Sequence, residues 1–98
     1  MTDRIIIDEN AAMADIQRIN QAIPILEQAR SALTQVKQEG EQTIGKTGTA
    51  IVHKSGQLIQ RIDQLIASLQ HTRSEIQKTV NQNKALDAEL ARRIGANM

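Results

Sequence analysis

Apolar residues recur at helical spacing along two long stretches of this chain, from about Asn10 to Gln38 and from Gln57 to Ile94. Between them, residues 40–56 hold four of the five glycines. This layout constrains the fold more than any other feature of the sequence. Two amphipathic helices joined by a Gly-rich reversal bury their stripes by folding back on one another. The expected fold is all-α: an antiparallel two-helix hairpin over residues 1–98, with helix one at about 9–38, a Gly/Thr-rich loop at about 39–55 and helix two at about 56–94. The apolar faces are too broad for one helix alone to cover, so a partner chain is expected to complete a bundle.

In the first stretch, Ala12, Ile19, Leu26 and Leu33 recur every seven residues, with Ile16 and Ile23 beside them and Ala22, Ala29 and Val36 as a third row. Pro24 interrupts the stripe, removing a backbone donor and crowding the carbonyl of Asn20. Because the stripe continues in phase, a kink near Ile23 is expected; two shorter helices meeting there are the alternative. Asp8 offers an N-cap oxygen, and Glu9 places negative charge near the positive end of the helix dipole. Ile5, Ile6 and Ile7 form a β-branched run suited to an extended arm, with Ile7 placed to staple the helix entry.

In the second stretch, with Ile62 as heptad position a, the a/d line runs through Leu58, Ile62, Leu65, Leu69, Thr72, Ile76, Thr79, Asn83, Leu86 and Leu90. Position e is apolar at Ile59, Ile66, Val80 and Ile94. Three apolar positions per heptad describe a bundle helix rather than a two-stranded zipper. Ser55 and Gly95 suit an N-cap and a C-cap. Asn83 either sets register from a buried a position or faces water near the helix end. Thr72-Arg73-Ser74-Glu75 resembles a capping box, with plain exposed helix as the simpler reading.

Composition narrows the function classes. The chain contains no Phe, Trp or Tyr, so nothing stacks on a base or builds an aromatic cage. The net charge is +1 with both signs interspersed, which leaves no nucleic-acid footprint. There are no cysteines, hence no disulfides or thiolate metal sites. His53 and His71 lie far apart without ligand-spaced companions and read as surface residues, so neither metal nor cofactor is expected. No apolar stretch approaches the roughly 20 residues that span a bilayer, and the isoleucines at the start are too few for a signal peptide. A cytoplasmic chain is expected, leaving the cell only by a route without a cleaved signal.

Gly40-Glu41-Gln42-Thr43-Ile44-Gly45-Lys46-Thr47 matches the P-loop pattern in full. A P-loop must follow a buried strand and open a helix. Here Leu33–Glu39 read as the end of an amphipathic helix, and Gly48–Val52 do not start a helix well. The match is judged fortuitous. No carboxylate pair sits in an apolar setting, and no serine lies in a nucleophile elbow, so an enzyme is not expected. The centre itself reads either as a mobile connector or as a short hairpin with Gly45–Gly48 as its turn and Ile44 and Thr49–Val52 as strands.

The opening Ile5-Ile6-Ile7-Asp8 and the stretch from Ser55 to Leu65, SGQLIQRIDQL, are similar to the small helical partners encoded with LXG toxins. The whole layout resembles the WxG-like helical hairpins of type VII secretion. At the turn this chain has Ile44-Gly45 in place of Trp-x-Gly, and it lacks the aromatic secretion motif of those hairpins. The resemblance implies a non-catalytic adaptor or targeting chaperone that binds the helical N-terminal domain of a toxin, together with a second small helical protein in some complexes. Such a role needs only helix-packing faces. The residues expected to carry it are Ile19, Leu26, Leu33, Ile62, Leu65, Leu69 and Ile76; sequence does not separate those that close the hairpin from those that meet a partner. The alternative is a self-assembling structural protein, either a homodimeric bundle or a filament subunit.

Overall fold

A computed structural model describes residues 8–96, with side-chain burial to residue 95. The isoleucine arm at residues 5–7 lies outside them. Two helices account for nearly all of the described chain: α1 spans Glu9–Gln42 and α2 spans Lys46–Ala96. They form an antiparallel hairpin measuring 80 × 24 × 15 Å.

Helix α1 starts where the sequence places it. The Asp8 carboxylate accepts a hydrogen bond from the Ala11 amide at 3.2 Å, and the Asp8 carbonyl accepts from Ala12 at 3.0 Å. The first satisfies an amide that the opening turn leaves orphaned, and the second is the first bond of the helical ladder. The helix then runs unbroken through Pro24, which excludes two separate helices. Pro24 and Asn20 are both exposed, so the carbonyl that Pro24 leaves without a helical donor stays within reach of water.

The central segment departs from expectation. It is neither a long loop nor a β-hairpin, since only Thr43, Ile44 and Gly45 lie outside the helices. Three glycines make so short a reversal feasible. Gly45 takes φ 96°, the left-handed region that other residues enter at a cost. A Cβ on Gly40 would fall 2.6 Å from Ile51 Cγ2, and one on Gly48 would run into the Thr43 carbonyl oxygen. The Thr43 amide closes the turn on the Gly40 carbonyl at 3.1 Å. The β-branched run Thr49–Val52 is helical because Ile51 and Val52 pack over Gly40, and tertiary contact overrides strand propensity. Ser55 is therefore a buried residue inside α2 rather than its cap. At the other end α2 continues through Gly95, which is not a C-cap.

The register is antiparallel and regular. Asn83 meets Glu9 at 3.4 Å, Arg73 meets Asn20 at 2.6 Å, Arg30 meets Asp63 at 2.6 Å, and Gly40 lies against Ile51 and Val52. Each step forward on α1 is thus matched by an equal step back on α2. Seven-residue rows build the seam, the pattern that winds paired helices into a left-handed supercoil. From α1 come Ala12, Ile19, Leu26, Leu33 and Gly40, alongside Ile16, Ile23 and Arg30. From α2 come Gly48, Ser55, Ile62, Leu69 and Ile76, alongside Ile59, Ile66, Arg73 and Val80. Far from the turn the seam is aliphatic, with Ile16, Ile19, Ile23 and Val80 buried. Near the turn it is built from Gly40, Gly48 and Ser55, whose small side chains let the helices approach closely.

Candidate partner-binding face

The hairpin has two unlike sides. On one side, the Asp63 carboxylate accepts two hydrogen bonds from the Arg30 guanidinium, at 2.6 and 3.4 Å. Further along, Arg73 donates to the Asn20 side-chain oxygen. The hydrogen bond from Arg30 to Asp63, and secondarily the carboxylate's charge, raise the Arg30 pKa above its ordinary value. Both partners are about half exposed, so the pair fixes geometry more than it adds stability. This side is polar and solvated.

On the opposite side, a row of α1 and a row of α2 lie next to the seam without a helix over them. The α1 row is Asp15, Ala22, Ala29 and Val36, and the α2 row is Leu58, Leu65, Thr72 and Thr79. That they share a side follows from one groove of about 470 Å³, whose walls include Ala12 and Asp15 of α1 and Thr72 and Thr79 of α2. Continuing the register toward the turn sets Ala22 level with Thr72, Ala29 with Leu65, and Val36 with Leu58. Side chains here are left in water: Leu65 is 48% exposed, Val36 43%, and Ile25, one row further out on α1, 65%.

This arrangement divides what sequence alone left merged. Of the three apolar positions per heptad in α2, the Ile62 row and the Ile59 row face α1, while the Leu65 row faces away. Ile19 is buried in the seam; Leu26, Leu33, Ile62, Leu69 and Ile76 are half-buried along its edge; Leu65 stands outward. All seven expected interface residues thus border one side of the hairpin. Ile25, Ala29 and Ala32 are exposed on the same side and do not belong to the expected set. Their rows can be traced by extending the Leu26 stripe outward by one helical position at a time.

The P-loop-like match takes a different shape from a phosphate cradle. Gly45-Lys46-Thr47 do open a helix, contrary to expectation, but α1 precedes them where a strand is required. Gly40 is helical and buried under Ile51, so its backbone amide belongs to the α1 ladder. His53 and His71 are exposed on different parts of α2. Among the described residues, no group of three His, Cys, Asp or Glu side chains is placed to hold a metal, and no helix is long and apolar enough to cross a membrane. Asn83 is half-buried and donates to the Glu9 carboxylate, which ties the start of α1 to α2.

Compared with protein-family models, curated proteins and solved structures, the chain has no match.

Proposed function

We propose that this chain is a non-catalytic adaptor that binds a helical partner through the side bearing Leu65, Ala29 and Val36. Of the partners considered, the helical N-terminal domain of a type VII secreted toxin fits the sequence resemblance best. On this reading the adaptor acts in the cytoplasm, where covering the toxin's apolar helices would support its stability or its export. The observation that supports the reading is the aliphatic strip shared by both helices. An isolated hairpin gains nothing from holding Leu65, Val36 and Ile25 in water, whereas a helix laid along the strip buries all three.

The test is a tagged pull-down from the native cell, repeated with Leu65→Asp. A stoichiometric, larger helical protein should co-purify with the wild type and be lost from the variant. Because Leu65 points away from α1, the far-UV circular dichroism of the variant should match the wild type. Capture that is unchanged by Leu65→Asp, or recovery of no other chain, would overturn the adaptor reading.

A further inference from the structure

The open side changes character along its length. Toward the turn it is aliphatic, with Val36, Leu58 and Leu65. Toward the other end it becomes the groove of about 470 Å³, and there carboxylates join the walls. Asp8 and Asp15 stand on the α1 wall one heptad apart, and Glu75 stands on the α2 wall. Between them Ala12, Ile76 and Val80 supply apolar surface, the first two half-buried and the third buried. The lining includes His71 but, among the described residues, no lysine or arginine. Asp8 gives one carboxylate oxygen to the Ala11 amide. Asp15 meets Arg18 of its own helix only at 3.4 Å, with both side chains more than half exposed, and such a pair is weak.

An apolar floor under an acidic rim suits side chains that carry a hydrocarbon stem and a cationic head. We propose that the groove takes a basic stretch of the client's helix, with two lysines or arginines one heptad apart; this rests on the adaptor reading and specifies the chemistry of its partner. In the register of the hairpin, Glu75 lies about 4.5 Å along the axis from Asp15, and Asp8 about 10 Å from it on the other side. One cation therefore reaches Asp15 and Glu75 together, and the second reaches Asp8, while both stems lie on Ala12, Ile76 and Val80. A wholly aliphatic helix would strip water from these carboxylates and leave them without a counter-charge, and an acidic helix would meet like charge. Charge also sets the direction in which the client's helix lies. Laid the other way round, it would bring its cations to Lys54 and Arg61, which are exposed on the outer edge of α2 toward the turn.

The test titrates the purified full chain with two synthetic helical peptides that share one leucine and alanine face. One carries lysines at two positions seven residues apart near one end, and the other carries glutamates there. The lysine peptide should bind about tenfold more tightly, an advantage that shrinks as salt rises. The double variant D15K/E75K should reverse the preference, and circular dichroism checks that these exposed substitutions leave the helices intact. Leu65→Asp should weaken both peptides by a similar factor, because it removes apolar contact that they share. Equal affinity for the two peptides, a preference that D15K/E75K leaves unchanged, or no binding of the lysine peptide would each overturn the proposal. The client pull-down separates this failure from that of the adaptor reading: a client lost from Leu65→Asp yet fully retained by D15K/E75K would keep the adaptor and remove the basic stretch.

Discussion

Glycine placement is where single residues decide most in this hairpin. Gly48 sits beneath the Thr43 carbonyl, and no side chain fits there without moving backbone. Gly56 lies one heptad-plus further along α2 in open space, in ordinary helical conformation. The same substitution should therefore act in opposite directions. Gly56→Ala removes a helix-interior glycine and should stabilise by about 1 kcal/mol. Gly48→Ala should destabilise by roughly 1–3 kcal/mol, the range for substitutions that force strain into a packed site. Thermal melts followed by circular dichroism should show the midpoint rising by about 4–8 °C for the first and falling for the second. Equal shifts of one sign would mean the turn does not have the geometry described. Both glycines look alike in the sequence, since only the register tells which one faces the returning chain.

At the scale of the elements, α1 carries an internal proline that α2 lacks. Proline in a helix interior is about 3 kcal/mol less favourable than alanine, although part of that is offset because proline also restricts the unfolded chain. Pro24 is exposed and touches no part of the seam that its removal would empty. Pro24→Ala should accordingly stabilise the hairpin by about 2 kcal/mol, seen as a higher urea midpoint with an unchanged slope. An unchanged midpoint would mean that the Asn20 carbonyl already has another donor. Both helices and their heptad rows were legible from periodicity, and so was the Asp8 cap. The start of α2 was not. Gly48, Thr49, Ile51 and Val52 each have low helix propensity, and what makes them helical is contact with Gly40, some ten residues upstream. The split of α2 into a seam side and an open side was equally hidden, because Leu65 and Ile66 are alike as letters and differ only in where α1 lies. The rows that hold the expected interface residues were legible for the opposite reason: each repeats every seven residues, and rows survive errors in helix ends.

At the scale of the whole molecule, the hairpin is a rod. Its Cα radius of gyration is 22.4 Å, against about 13 Å for a compact domain of similar length. Small-angle scattering from the purified chain should therefore show an elongated particle about 80 Å long. A maximum dimension close to that of a compact domain would mean that the two helices do not form one extended hairpin. The hairpin layout also has a mechanical consequence. Glu9 and Asn83 face each other at one end of the seam, while the turn closes the other end. Tension applied between those two points does not shear the seam as a whole; it peels the helices apart from the open end, straining one heptad at a time. Resistance at any instant comes only from the few side chains at the fork, first the Glu9–Asn83 contact and then the layer of Val80 and Ala12. A machine that grips either end could thus draw this chain out straight against modest force.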